Sequence, residues 1–321
     1  MASRIVGQKV LVTGASGFIG THLCQRLEQA GAEIHALSRN HQSGNSSAVC
    51  WWQGDMEDAV TVQRLFSVIR PDTVFHLASH VTGSRDLAMV APTFRSNLLS
   101  TVNLLTAATE AGCSRVVLVG SLEEPEENAK DATPCSPYAA AKWASTAYGR
   151  MFHNLYQTPV VIARVFMTYG PGVQDQRKLI PYVISCLLRG EAPQLMSGQR
   201  LIDWVYVEDV VDGLLAAAQV ANAEGCTIDL GSGSLVSVRA IVEQIVTLLD
   251  SSIAPAFGTH ADRPFERVRV ADIDRTYTKV GWKSSTTLQT GLSRTIDWYK
   301  EHFNSPLLRD RSHSHIGTNA R

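Results

Sequence analysis

Tyr138 and Lys142 stand four positions apart in the run Tyr138–Ala139–Ala140–Ala141–Lys142, so on a helix they share one face within mutual reach. An ammonium beside a phenol favours the phenolate and draws a tyrosine pKa of about 10 towards neutrality. Such a phenol takes a proton from an alcohol or returns one to a carbonyl. The spacing recurs by chance in many helices, and its position is what gives it weight. The pair follows the turn Thr133–Pro134–Cys135–Ser136–Pro137 and lies downstream of an apolar run, Val116–Val119, that ends in Gly120–Ser121. At the carboxyl end of a parallel strand, Ser121 can hydrogen-bond the reacting oxygen.

A second constellation lies near the start of the chain. Val10–Thr13 reads as a strand, and Gly14, Gly17 and Gly20 then recur at spacing three as a helix begins. That arrangement lets backbone amides at the positive helix end approach a pyrophosphate, which side chains would block. With a further strand at Glu33–Leu37 it predicts a nicotinamide dinucleotide site. The end of that strand should meet the adenosine ribose, where a carboxylate favours NAD and an arginine admits the 2′-phosphate of NADP. The run Ile34–Asn40 offers Arg39 and no acidic residue, which favours NADP(H); Arg39 also fits a solvated surface position, so NAD(H) stays open. Asp55, in Gly54–Asp55–Met56–Glu57–Asp58, is placed to reach the adenine or to cap the next helix.

The elements that must carry these residues follow from hydrophobic periodicity. Lys9–Thr13, Glu33–Leu37, Val49–Gln53, Thr73–Leu77, Arg115–Val119 and Val160–Phe166 read as strands covered on both faces, separated by helices Gly17–Ala30, Ala59–Ile69, Thr93–Ala111 and Tyr138–Tyr156. The pattern predicts an α/β fold, a Rossmann-type doubly wound parallel sheet. After Phe166 come a turn at Gly170–Pro171–Gly172, a helix Leu179–Arg189, a loop Gly190–Leu201 and a strand Asp203–Val207. Helix Glu208–Ala221 and strand Cys226–Leu230 are apolar enough to return to the first sheet. The expected division is therefore interleaved: residues 1–166 plus 203–235 for the dinucleotide, 167–202 plus 236–303 for a smaller α/β substrate lobe. Residues 304–321, rich in Arg, His, Ser and Asn, read as a disordered tail in which His313 and His315 are solvated.

The bulk composition narrows the class. The chain has 321 residues and a net charge of -1, so no global field points to nucleic acid or an anionic membrane. Cys24, Cys50, Cys113, Cys135, Cys186 and Cys226 form no CxxC pair and suit reduced thiols, and no metal site is expected. The N-terminus carries no apolar secretory segment and no 18-residue apolar stretch occurs, so the expectation is a cytoplasmic protein acting on a small molecule.

Taken together, these residues resemble the extended short-chain dehydrogenase/reductase family, the nucleotide-sugar epimerases, dehydratases and ketoreductases, from about Lys9 to Phe303. Val10–Gly20 is similar to its TGxxGxxG turn, Phe75–Ser79 to its HLAA element, Asn97 to its central-helix asparagine, and Tyr138 with Lys142 to its catalytic pair. Ala163–Gly172, Ile202–Gly213, Asp229–Gly233 and Arg263–Glu266 resemble its second-lobe motifs. The resemblance implies cofactor contacts at Gly14, Ser16, Gly17, Phe18, Ile19, Gly20, Arg39, Asp55, Met56, Leu77, Ala78, Ser79, Asn97, Tyr138 and Lys142. It implies catalysis by Ser121, Tyr138 and Lys142, and substrate contacts at His80, Ser121, Arg200 and Arg263. Both arginines could fork onto diphosphate oxygens. It further implies a homodimer built through helices near Thr93–Ala111 and Tyr138–Tyr156.

Departures from the family pattern bear on the reaction. Met167 and Ile202 replace an asparagine and an arginine of many relatives, and only 17 residues separate Ser121 from Tyr138. Glu123 matches a dehydratase glutamate or is a plain loop carboxylate, while its neighbour, often Asp, is Leu122. All the reactions share hydride transfer at the sugar 4-position, with the tyrosine handling the proton. Arg39 and an exchangeable NADPH favour a reductase of NDP-4-keto-6-deoxyhexoses. An NDP-sugar 4-epimerase or a 4,6-dehydratase holding its cofactor tightly is the alternative, and a non-catalytic NADP(H)-binding sensor the third, against which the intact proton relay argues.

Overall fold

The computed structural model describes residues 5–42, 48–126, 132–262 and 268–305. Its first half runs β1 (Lys9–Thr13), α1 (Phe18–Gln29), β2 (Glu33–Ser38), β3 (Val49–Gln53), α2 (Ala59–Ile69), β4 (Thr73–His76), α3 (Val90–Thr93), α4 (Ser100–Ala111), β5 (Arg115–Ser121), α5 (Pro137–Tyr156) and β6 (Val160–Val165). The second half adds β7 (Met167–Tyr169), α6 (Leu179–Leu188), β8 (Gln194–Leu195), β9 (Leu201–Tyr206), α7 (Val207–Gln219), β10 (Thr227–Leu230), β11 (Leu235–Ser237), α8 (Val238–Leu248), β12 (Ala256–Phe257), α9 (Ile273–Val280) and α10 (Leu288–His302). Local chemistry sets several boundaries. The Asp58 carboxylate accepts the Val60 and Thr61 amides to open α2, the Ser136 hydroxyl accepts the Ala139 amide ahead of Pro137 in α5, and left-handed Gly112 ends α4.

Seven strands pair in the order β10-β6-β5-β4-β1-β2-β3, every neighbour parallel. This is the expected doubly wound Rossmann-type sheet, with strand order reversing at β1 and β4. Its alternate residues feed two apolar clusters, Val10, Val12 and Phe75 on one face and Leu11, Val74 and Val116 on the other. Register brings Thr13 opposite His76, and Ser121 opposite Val165, at the carboxyl ends where such sheets bind ligands.

Two elements depart from the sequence expectation. β3 is a sheet edge, and Cys50 and Gln53 on it are exposed instead of covered on both faces, while the Trp52 indole donates to His35 Nδ1 at 3.0 Å. The stretch expected as one helix over Thr93–Ala111 is preceded by a 3₁₀ turn at Leu87–Met89 and runs through α3, a π-helical turn at Phe94–Leu99, and α4. Widened turns of this kind re-aim side chains and often mark functional sites. Asn97 lies buried inside this one.

A three-stranded sheet, β11-β9-β7, and the pair β12-β8 form the smaller unit around Ile180, Ile184, Ile202, Trp204, Ile241 and Tyr299. β9, set with the larger unit in the expected division, serves both cores because its side chains alternate. Ile202, Trp204 and Tyr206 join the small cluster, and Val205 the large one. Ala271, Val280 and Trp282 return to the large cluster. Buried Asp203 ties these pieces together, its carboxylate accepting the amides of Ser232 (2.7 Å), Gly233 (3.0 Å) and Ala271 (2.9 Å) and the Ser232 hydroxyl (2.7 Å). Cys24, Cys113 and Cys186 are buried, and burial pushes the first two thiols up to about 12. Among the described residues no helix is long and apolar enough to cross a membrane. The expected tail from 306 onward, with His313 and His315, lies outside the described residues.

Candidate active site

The glycine turn is sterically exacting. Gly14 has φ 69°, in the left-handed region, and a Cβ there would lie 2.7 Å from the Ala78 amide nitrogen. A Cβ on Gly20 would collide with the Gly14 carbonyl oxygen and stand 2.8 Å from the Ala15 Cα. β1, α1 and the β4 end thus close up only around glycine. No side chain caps α1 and no acidic residue stands in its first turn, which leaves a cradle suited to a pyrophosphate. Ser16 reaches Ser38 on β2 (3.4 Å between hydroxyl oxygens), and half-buried Phe18 packs edge-on to His22.

The Leu77–His80 segment beyond β4 is held from two sides. The Thr13 hydroxyl meets His76 Nδ1 at 2.8 Å and accepts the Ala78 amide at 3.2 Å; His76 Nε2 meets the Thr101 hydroxyl at 3.1 Å. Burial, helped by the Lys142 charge, lowers His76 to about 3, so it stays neutral. Asn97 grips the segment's end. Its Oδ1 accepts the His80 amide (2.7 Å) and the Ser79 hydroxyl (3.1 Å), and its Nδ2 donates to the His80 carbonyl (3.2 Å). Asn97 therefore holds the Ser79–His80 backbone that carries two other expected site residues.

Ser121, Tyr138 and Lys142 are brought together and buried, with Tyr138 hydrogen-bonded to both Ser121 and Ser79. The α5 cap at Ser136 sets the first turn of the helix, which fixes where Tyr138 enters the sheet edge. Lys142 donates to the Val119 carbonyl at 2.9 Å, and burial lowers it to about 8 against the opposing pull of Glu124. The expectation that Lys142 draws the phenol towards neutrality is corrected here. Burial pushes Tyr138 above its ordinary value, the Ser121 and Ser79 hydrogen bonds pull it down, and the charges of Glu123 and Glu124 push it further up.

The remaining expected residues fall in different places. Glu123 stands beside the trio, 3.4 Å from the Ser136 hydroxyl, with its amide donating to Ser121 Oγ at 3.2 Å. Arg39 is exposed just past β2, and Asp55 is exposed in a turn where its carboxylate accepts the Glu57 amide at 2.9 Å; Asp58 caps α2 instead. Met56 is buried in the apolar cluster with Leu11, Leu65 and Val74, its carbonyl accepting from Asn103. Arg200 is half-buried ahead of β9, while Arg263 and the segment 263–267 lie outside the described residues. Met167 and Ile202 pack with the small core, as apolar side chains do.

Sequence reasoning missed Glu124, Arg164 and Arg269. Glu124 is buried, accepting the Ser121 amide at 2.7 Å and the Thr146 hydroxyl at 2.9 Å, with Arg164 Nε 3.8 Å away. Arg164 in turn donates to Asp229 at 2.9 Å, and Arg269 donates to the Glu124 carbonyl at 2.9 Å. The available signal was an acidic pair after a strand, and nothing in it told which carboxylate turns inward.

A profile of the NAD dependent epimerase/dehydratase family matches residues 10–231, which span the glycine turn, Ser121, Tyr138, Lys142 and β10. The chain belongs to this family. It is an enzyme of the extended short-chain dehydrogenase/reductase kind, as the motif order implied. A dTDP-glucose 4,6-dehydratase of Shigella flexneri is 29% identical, the alignment covering 92% of this chain and 94% of that one. The epimerase Mth375 of Methanothermobacter thermautotrophicus superposes with a TM-score of 0.85 at 27% identity, covering 94% and 95% of the two chains. The UDP-glucose 4-epimerase of Thermus thermophilus, in complex with NAD, superposes with a TM-score of 0.80 at 26% identity over 91% and 98%.

Proposed function

We propose that this enzyme exchanges hydride at carbon 4 of a nucleotide-linked hexose without removing water, acting as a nucleotide-sugar 4-epimerase. What carries the reading is the arrangement of carboxylates around Tyr138. Elimination needs both an acid and a base at the sugar. Glu124 has its oxygens engaged by the Ser121 amide and the Thr146 hydroxyl, and Leu122 is apolar, so among the described residues of this loop Glu123 is the carboxylate beside the trio. Hydride exchange needs only the trio.

In this reading the glycine cradle holds the dinucleotide pyrophosphate, and Asn97 keeps Ser79 and His80 in line beneath the sugar. The bound nicotinamide supplies the hydride acceptor and, when oxidised, a positive charge. Tyr138 Oη takes the proton of the 4-hydroxyl and returns it, Ser121 Oγ orients the reacting oxygen, and Lys142 holds positive charge behind them. The undissociated phenol that burial favours suits the donor half of that cycle, and the acceptor half needs the phenolate, which the Lys142 ammonium and the charge of a bound oxidised nicotinamide would favour.

One observation favours a second reading. Exposed Arg39 at the β2 end, in the run Ile34–Asn40 that contains no acidic residue, fits the 2′-phosphate of NADP(H) and hence an exchanging ketoreductase; the relatives' names lend that outcome no support. The chain incubated with UDP- and dTDP-hexoses and either cofactor should give products isomeric with their substrates. A product lighter by one water would overturn the reading in favour of dehydration, and NADPH consumption with a 4-keto-sugar would establish the reductase. Arg39→Asp should lower the preference for NADP over NAD at least tenfold, and an unchanged ratio would remove Arg39 from cofactor choice.

Trp143, Tyr148 and Leu155 on α5 and Phe94 and Val90 on the preceding helical segment are exposed apolar side chains, which supports a homodimer. Tyr148→Glu should convert a dimer to a monomer in sedimentation velocity; a wild-type monomer at micromolar concentration would refute the assignment.

A further inference from the structure

Glu124 lies one layer behind the reacting groups. One oxygen takes the Ser121 amide, the other the Thr146 hydroxyl one turn along α5 from Lys142, and Arg164 approaches from β6. Gly120 leaves the room, since a Cβ there would stand 2.5 Å from Glu124 Oε1. A carboxylate so deeply buried is costly unless its charge and hydrogen-bonding capacity are used. Here they converge on two parts of the trio: the Ser121 main chain, whose amide one oxygen accepts, and the turn of α5 that carries Lys142, reached through Thr146.

We propose that Glu124 is a positioning residue that fixes the Ser121 main chain beneath the reacting oxygen and serves as the buried counter-charge keeping Lys142 an ammonium. The inference rests on the reading of Ser121, Tyr138 and Lys142 as the proton-handling trio. Among the described residues, the groups facing this pair are neutral His76 from β4, Tyr138 from α5, Arg164 from β6 with its partner Asp229 of β10, Glu123 of the same loop, and Arg269 with Glu126. Burial pushes the Glu124 carboxyl above its ordinary range, and Arg164, the Ser121 and Thr146 hydrogen bonds and Lys142 pull it back down. Electrostatic pull between Glu124 and Lys142 acts on both groups, each favouring the charged form of the other.

The test needs no substrate, so it is separable from the assignment of the reaction. Lysine labelled with ¹³C at Cε, with the Lys142 resonance assigned by its loss in Lys142→Met, reports the ammonium titration in the full chain. Glu124→Gln, which keeps shape and removes charge, should lower the Lys142 midpoint by about one pH unit. Thr146→Val, which removes one hydrogen bond and no charge, should leave it in place. A midpoint in folded Glu124→Gln equal to the wild type would overturn the proposal. If that variant fails to fold, ¹³Cδ-labelled glutamate in the wild-type chain reads the same coupling. The Glu124 resonance should shift through the Lys142 midpoint, and a flat resonance would overturn the proposal equally. If the hexose reading alone is wrong, the coupling persists while every nucleotide sugar goes unturned.

Discussion

Tyr138→Phe is expected to lower turnover by about 10²- to 10⁴-fold, the range that a positioned acid–base group contributes. Phenylalanine fills the same buried volume, so the fold and the cradle formed by Gly14, Gly17 and Gly20 should persist. Lost are the hydrogen bonds that join Tyr138 to Ser121 and Ser79 and the one hydroxyl that can exchange a proton with the sugar oxygen. Cofactor affinity, measured by calorimetry, should change by less than about threefold, because the difference lies at the reacting oxygen and not at the pyrophosphate. Full turnover in the variant would remove Tyr138 from the chemistry.

The second large effect belongs to the turn. Gly14→Ala places a methyl group 2.7 Å from the Ala78 amide nitrogen and forces an L-residue to φ 69°, which costs about 1 kcal/mol before any overlap is relieved. Both neighbours are backbone, so relief requires β1 and the β4 end to move apart. We expect cofactor affinity to fall at least about 100-fold, roughly 2.8 kcal/mol, with a smaller loss of thermal stability. Calorimetric titration with NAD and NADP measures it. A dissociation constant within threefold of the wild type would show that the turn does not seat the dinucleotide.

Much of this was legible in the sequence because it rests on local rules. The strand, glycine and helix order around Gly14, and the i to i+4 spacing of Tyr138 and Lys142, depend on few residues and survive any packing arrangement. The strands were readable from their apolar runs, except that β3 lies at an edge, a fact of sheet order and not of its own composition. The π-helical turn at Phe94–Leu99 was hidden, because an inserted residue leaves the amino-acid pattern of a helix intact. The protonation of Tyr138 was misjudged because a neighbour four residues away is visible in sequence, whereas burial of the phenol comes from elements far along the chain. For the same reason Glu123 and Glu124 could not be told apart: Arg164 and Thr146, which draw Glu124 inward, are 40 and 22 residues distant.

In the proposed reaction hydride leaves carbon 4 under the control of Tyr138. The direct measurement is rapid quenching of the cofactor-loaded chain with UDP- or dTDP-hexoses deuterated at carbon 4, followed by mass spectrometry of the nicotinamide and the sugar. One deuterium is expected on the reduced nicotinamide in the wild type, none in Tyr138→Phe, and a sugar product that retains all its oxygen atoms. Deuterium that never reaches the nicotinamide with any of these sugars, or a dehydrated product, would contradict the proposed reaction.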